Sequence, residues 1–274
     1  MPIHRTLEFK DPDDAEFALV DGAVMRCAYA TQNRFGRLFD ERVYENDLAG
    51  RLRAEGFEVH SQVVVTVSHA DFHKTWRLDL IVRQMLYEIK VVTALVDEHK
   101  AQALNYAMLQ NVQRVKLLNF GGPKVEGLLL RNAVSESRRH QPMFLLDGWR
   151  AQSPCCDRLV GHLRDLIEDW GTHLSTQLYN EALIHRFGGA NHCLRRLEIR
   201  AEDRLLGTHP VQMHSPDHAF TITALTANLP AFRRHLETLL SHTRLKAIQW
   251  INLNRSRIEI TTLDRAGSGT RMQE

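Results

Sequence analysis

Hydrophobic positions along the chain switch between helical and strand spacing, and the sequence of switches comes round twice. Residues 1–22 are polar and then mixed, a lead-in with room for one short strand. Over residues 24–55, Leu38, Val43, Leu48 and Leu52 recur among charged positions at helical spacing, and Gly56 stands where such a helix would end. Val59, Val63, Val64, Val65 and Val67 then make residues 57–67 a β-branched run that predicts a strand. A polar turn over 69–74 leads to a second strand at 76–82, and Arg83-Gln84 turn the chain into a third at 85–92. Residues 97–110 read as helix, and 115–120 and 125–130 as short strands on either side of Gly121-Gly122-Pro123. Helix, three strands, helix and two strands is the order of a mixed α/β domain.

Residues 133–157 interrupt the pattern with Ser, Pro, Gly, Arg138-Arg139 and Cys155-Cys156, and read as a linker. Helical spacing returns at 159–170 and 174–187. Strand spacing follows at 194–201, 211–213 and 220–227, then a helix at 231–242 and strands at 247–253 and 257–263. Residues 265–274 are a Gly/Ser-rich tail expected to fray. The second series has the order of the first. An offset of 133 sets Ile89 on Ile222, Thr93-Ala94 on Thr226-Ala227 and Asn119 on Asn252, and an offset of 135 sets Tyr44 on Tyr179, Leu48 on Leu183 and Arg51 on Arg186. Identity is low, but the ordered agreement favours a diverged duplication.

Composition narrows the class without naming a partner. Hydrophobic residues make up 43% of the chain and charged ones 25%, enough apolar material for packed cores. A net charge of +2 neither demands nor excludes a polyanion, which needs a local basic patch rather than a basic total. The four cysteines (27, 155, 156 and 193) form no metal-binding spacing and are expected as reduced thiols. The polar N-terminus offers no signal sequence, and no apolar run approaches the roughly 18 residues of a membrane span. A soluble, cytoplasmic protein is the expectation.

The chemistry concentrates in residues 76–92. On a strand at 85–92, Glu88 and Lys90 share a face while Tyr87, Ile89 and Val91 take the other. Antiparallel pairing about Arg83-Gln84 sets Asp79 beside Glu88. Ionised groups in apolar strands are costly unless paired or metal-bound. Two adjacent carboxylates suit Mg²⁺ or Mn²⁺. A lysine beside them can orient or deprotonate an attacking water and offset charge on a phosphate, so the set fits phosphodiester hydrolysis. From spacing alone a solvated Glu–Lys–Asp salt cluster is the commoner reading, since E-x-K arises often by accident.

Asp79, eight residues, then Glu88-Ile89-Lys90 resembles the D-x(n)-E-x-K core of the PD-(D/E)XK nuclease superfamily. Residues 24–132 more specifically resemble the GxxExxY family within it. That likeness rests on Gly36 with Glu41-Arg42-Val43-Tyr44, on Leu78-Asp79-Leu80-Ile81-Val82, and on Tyr87-Glu88-Ile89-Lys90. It continues through residues 99–106 and through Leu117-Leu118-Asn119-Phe120-Gly121. Two features depart from the family: Leu38 replaces the Gly three residues before Glu41, and no Pro precedes Asp79. The resemblance implies a restriction-endonuclease-like α/β fold, a mixed sheet flanked by helices. It implies Glu41 on the first helix as an extra acidic ligand, and Gln102 on the helix after the E-x-K strand as support.

The expected organisation is therefore a nuclease-like domain at 1–132, a linker, and a degenerate repeat at 158–264. Asp79, Glu88 and Glu41 would hold Mg²⁺ or Mn²⁺, Lys90 would position the nucleophile, and Tyr44 and Gln102 would stand behind them. The repeat register sets Asp79 on Gln212, Glu88 on Thr221, Lys90 on Thr223, Gln102 on His235, and Glu41 on Leu174 or Thr176, so the second lobe lacks every ionisable member. The expected partner is nucleic acid, DNA ahead of RNA, with no membrane. A monomer whose second lobe stands in for a partner subunit is expected, with a homodimer the other arrangement. The rival reading is a catalytically inactive nucleic-acid-binding or scaffolding module. The remaining histidines form no zinc pattern, and the Arg pairs 138–139, 195–196 and 233–234 could track a phosphate backbone or simply cap solvated elements.

Overall fold

Asp13 starts the first helix. Its side chain accepts a hydrogen bond from the Glu16 amide at 2.8 Å, capping α1 (Asp14–Phe35). Val20, Ala23, Val24, Cys27 and Ala28 make the buried stripe of α1, and Gly36, at φ 70°, ends it. A second helix, α2 (Glu41–Ala54), follows. The expected polar lead-in is thus largely helix, and the single helical stretch is two helices. Small residues carry the stripe of α1, so hydrophobicity understates it, and Leu38 lies exposed in the turn between the helices. The computed structural model describes residues 2–265, which form two compact units dividing between Arg138 and Arg139.

In the first unit the strands are β1 (Ile3–Arg5), β2 (Val59–His69), β3 (Phe72–Val82), β4 (Met85–Lys90), β5 (Arg114–Asn119) and β6 (Glu126–Arg131). They lie in that order across one sheet. Neighbours are antiparallel except β4 and β5, which run parallel and are joined by the crossover helix α3 (Asp97–Gln110). The core lies on one sheet face, where α1 and α2 cover Leu80, Val82, Tyr87, Ile89, Leu118 and Phe120.

The second unit begins inside the stretch expected as a linker. A short helix, α4 (Glu136–Arg139), precedes β7 (Met143–Leu145), and β7 pairs in parallel with the last strand. Three apolar residues are too few to stand out as a strand in sequence. Then come α5 (Pro154–Trp170), α6 (Thr176–Arg186), the turn-length α7 (Ala190–Cys193), β8 (Leu194–Ala201), β9 (Arg204–Ser215) and β10 (His218–Thr223). Helix α8 (Leu229–Ser241), β11 (Ala247–Asn254) and β12 (Arg257–Asp264) complete the unit. The sheet order is β7-β12-β11-β10-β9-β8. Strand β9 is far longer than residues 211–213 because its first half, paired with β8, is exposed and carries no apolar pattern. The frayed tail expected at 265–274 lies outside the described residues except for Arg265, whose Nε donates to the Leu245 carbonyl at 3.1 Å.

Two six-stranded mixed sheets flanked by helices realise the two-lobed α/β class read from the sequence. The units also share connectivity: α1-α2-β2-β3-β4-α3-β5-β6 and α5-α6-β8-β9-β10-α8-β11-β12 are the same path, each with one parallel pair at the crossover helix. In those parallel pairs Ile89 faces Leu118 and Lys90 faces Asn119, while Ile222 faces Ile251 and Thr223 faces Asn252. Asn119 Oδ1 accepts from the Val92 amide at 3.1 Å, and Asn252 Oδ1 from the Leu225 amide at 2.8 Å. Tyr44 donates to the Gly36 carbonyl at 3.0 Å, and Tyr179 to the Gly171 carbonyl at 2.5 Å. Both glycines end a helix at similar positive φ, 70° and 74°, a conformation open to Gly at little cost.

Candidate active site

The β3–β4 ladder pairs Val82 with Met85, Ile81 with Leu86 and Leu80 with Tyr87, and then stops. At the next position stand Asp79 and Glu88, as the turn at Arg83-Gln84 requires. Asp79 replaces the missing ladder bond with its own side chain: Oδ2 accepts from the Ile89 amide at 2.8 Å. Glu88 is 2% exposed. Its Oε1 accepts from Lys90 Nζ at 2.7 Å, and its Oε2 has no hydrogen-bond partner. The strand alternation expected of β4 therefore places the Glu88 carboxyl, its orphaned oxygen and the Lys90 ammonium on one face.

Burial, then repulsion from Asp79, pushes the Glu88 carboxyl up to about 8, although Lys90 pulls the other way. Burial works against the Lys90 ammonium, but Glu88, Glu41 and Asp79 outweigh it and hold the lysine above its usual range. In this arrangement Lys90 is a hydrogen-bond donor and a positive charge beside Glu88.

Glu41 opens α2, the second helix of the unit rather than the first, and its Oε1 accepts from the Val91 amide at 3.3 Å, one residue past Lys90. Gln102 on α3 donates to the Tyr106 hydroxyl at 2.9 Å, and Tyr106 lies within the field of Glu88, Lys90 and Asp79. Tyr44 goes elsewhere. It is fully buried, stacks on Phe120 with ring centroids 4.8 Å apart, and spends its hydroxyl on the Gly36 carbonyl and the Phe39 amide.

Two neighbours of the site escaped the sequence reading. Glu45 is buried one turn beyond Glu41, and Gln62 Nε2 bridges Glu45 Oε2 at 2.8 Å and Asp79 Oδ1 at 3.4 Å. Burial, opposed by Arg42 and reinforced by Asp79, raises the Glu45 carboxyl. The Glu41/Glu45 spacing puts both acids on one helix face and could have drawn attention. Nothing in sequence marks Gln62. It reaches the site because it sits at φ 54°, skipped by the β2–β3 ladder between the Ser61–Leu80 and Val63–Leu78 pairs.

A divalent cation fits this donor set. The orphaned Glu88 oxygen lies near the half-buried Asp79 carboxylate, and a cation would relieve the repulsion that keeps Glu88 protonated. Glu41 stands further out, and among the described residues no three Asp, Glu, His or Cys side chains form a ready-made metal cluster.

At the corresponding place in the second unit the β9–β10 ladder also stops, after Gln212–Phe220. Continuing that register sets Thr221 opposite Val211, so the sheet partner corresponding to Asp79 is Val211 and not Gln212. The bulge beside His218 shifts β9 by one residue against a uniform offset. Thr223, in the place of Lys90, donates to Asn252 Oδ1 at 2.8 Å and accepts from Trp250 Nε1 at 2.8 Å. A neutral network occupies that position.

The four cysteines are free thiols, and among the described residues no helix is long and apolar enough to cross a membrane. Neither a curated protein nor a solved structure matches the chain. Residues 19–129, which contain Glu41, Asp79, Glu88, Lys90 and Gln102, match the family model described as the PD-(D/E)XK nuclease superfamily.

Proposed function

We propose that the chain is a metal-dependent nuclease that hydrolyses nucleic-acid phosphodiester bonds at one site, in its first unit. The observation that carries this reading is Glu88: a carboxylate 2% exposed, with one oxygen on Lys90 and the other unpartnered, beside a second carboxylate. Held protonated, Glu88 can share its proton with Asp79, but once ionised its second oxygen has no donor, and a cation would supply the missing partner. Asp79 and Glu88 would hold Mg²⁺ or Mn²⁺, with Glu41 joining directly or through water. Bound there, the ion would polarise the phosphate and lower the pKa of its water. Lys90 keeps its proton, so it donates to the attacking water or to a phosphate oxygen and places it. Asp79 is held in position by the Ile89 amide and Gln62, and Tyr106 with Gln102 borders the site on the α3 side. Tyr44 acts only by fixing the turn before Glu41.

The GxxExxY subfamily remains part of the proposal, supported by the motifs quoted above. We also infer that residues 158–264 are a diverged copy of the first domain, a nuclease-like lobe without its charges. Shared connectivity, the matched Asn119 and Asn252 bonds, and the Tyr44 and Tyr179 turn bonds support this. A monomer carrying its own pseudo-partner follows from that reading.

The test is calorimetry of Mg²⁺ and Mn²⁺ binding by wild type and Glu88→Ala, alongside cutting of DNA and RNA in single- and double-stranded form. Binding lost in the variant together with ion-dependent cutting by wild type is the expected result. A folded Lys90→Ala or Asp79→Ala protein that cuts as well as wild type would overturn the assignment.

A further inference from the structure

The second unit encloses a polar pocket of about 370 Å³, a volume within the range of small-ligand sites, and the nuclease reading makes no use of it. His214 of β9 forms part of its wall. The side chain is 6% exposed and neither ring nitrogen has a hydrogen-bond partner. A neutral imidazole offers one donor and one acceptor, and leaving both buried and unmet costs roughly 1–3 kcal/mol for each. Phe187 and Phe220 pack against the ring at 5.9 and 6.2 Å between centroids and hold it in place.

The surroundings are cationic. Arg195 and Arg244 line the pocket with His192. The Arg195 guanidinium reaches only the backbone carbonyls of Asn191 and Leu194. Arg244 has no hydrogen-bond or ion-pair partner among the described residues. His192 commits Nδ1 to the Gly188 carbonyl at 2.8 Å. The nearby carboxylate, Asp217, is already engaged by Lys246 at 2.6 Å and His218 at 2.7 Å. Burial, followed by repulsion from His218 and Arg158, lowers His214 to about 4, so the free pocket holds a neutral ring. Arg244 also borders an adjoining groove of about 710 Å³ that carries Arg196, Arg200, His242 and Arg265 against Glu198 and Glu202.

We propose that this pocket binds a phosphoryl group, with Arg195 and Arg244 as its charge partners and His214 donating the buried hydrogen bond. A metal cation would meet two guanidiniums that no carboxylate neutralises, whereas an anion satisfies both them and the orphaned ring. The phosphoryl group can come from a nucleic-acid strand, which rests on the nuclease reading, or from a free nucleotide, which does not. The adjoining basic groove gives a strand a path beyond the pocket.

The experiment uses the full chain in chelator, so that no divalent ion is present and nothing is cut. The His214 ring resonances are followed by NMR while inorganic phosphate, adenosine 5′-monophosphate or a single-stranded oligonucleotide is added. The His214 signals are expected to shift and its pKa to rise, because an anion favours the imidazolium. Saturation by phosphate and mononucleotide identifies a free-nucleotide site, and a response to the oligonucleotide alone identifies a strand site. Arg244→Ala, at an exposed position, is expected to weaken binding tenfold or more. For a single strand it should also lower the slope of log affinity against log salt by about 0.7 per lost phosphate contact. Unmoved His214 signals with all three probes, or affinity and salt slope unchanged in both Arg195→Ala and Arg244→Ala, would overturn the proposal. A failed nuclease assay in Mg²⁺ would leave this binding result standing, so the two readings fail separately.

Discussion

Replacing Glu88 with glutamine tests the electrostatic reading of the site without involving substrate. The variant, Glu88→Gln, keeps the shape of the side chain and removes the charge. In the folded protein the Glu88 carboxyl is held up to about 8, against 4.5 for an ordinary glutamate. The unfolded chain thus releases this proton near 4.5, and the folded chain keeps it until about 8. Across that window the native state binds more protons, so wild-type stability falls as pH rises and the loss is complete above about 8. At about 1.4 kcal/mol per pH unit the full loss is on the order of 5 kcal/mol. The Lys90 attraction is already contained in that folded value, so a gain approaching about 5 kcal/mol for the variant at about pH 9, with near-equal stability near pH 4.5, is the expected size. Urea unfolding in chelator at half-unit steps reads this as a midpoint that separates with pH while the slope stays constant. Adding Mg²⁺ at about pH 8–9 should raise the wild-type midpoint and leave the variant unmoved, because only the ionised carboxylate recruits the cation. Parallel curves from about pH 5 to 9, or a variant less stable than wild type at the alkaline end without metal, would refute the reasoning.

Three further outcomes follow from other contacts. Tyr44→Phe should lose about 1–2 kcal/mol in a urea melt through its Gly36 and Phe39 bonds, with cutting per folded molecule unchanged. Gly121→Ala should cost about 2–3 kcal/mol or more, seen as a lowered Tm, because a Cβ there runs into the Val92 backbone at the end of the parallel pair. Gln62→Leu should strip Glu45 and Asp79 of a shared donor and raise the Glu45 carboxyl further. Carboxyl titration by NMR checks that shift, and Mg²⁺ affinity several-fold weaker than wild type checks its effect on the site.

Strand alternation was enough to place Glu88 and Lys90 on one face, and the tight turn was enough to bring Asp79 alongside, because both depend on local geometry that sequence spacing states directly. Helix α3 was legible to the residue for the same reason. What the spacing hid was long-range or low in contrast. Helix α1 buries Ala, Cys and Thr, which barely register as apolar, and β7 is three residues that become a strand only beside β12. Gln62 enters the site through a skipped position in β2, set by how β2 and β3 pair rather than by its neighbours in sequence. Tyr44 shows the opposite error. Its place in a motif suggested a role near the acids, whereas its hydroxyl closes a turn, as Tyr179 does in the second unit, where the positions of those acids hold neutral residues.

That comparison separates frame from chemistry. Whatever both units share is explained by folding alone: the Tyr bond to a helix-ending Gly, the Asn that ties the parallel pair to the strand exit, and the strands that part at the same step. Whatever only one unit has must be justified there. Thr223 satisfies Asn252 and Trp250 with a neutral hydroxyl at the place where the first unit buries a lysine and a glutamate with an unpaired oxygen. A neutral network at the matching sheet position of the second unit contrasts with the charged, partly unpartnered one of the first, which is the contrast the proposed cation would resolve. The second unit carries its own unpaired buried group, His214, on β9 beside arginines that no carboxylate neutralises. The two proposals rest on the same observation, a buried polar group without a hydrogen-bond partner: Glu88 Oε2 in the first unit and the His214 ring in the second.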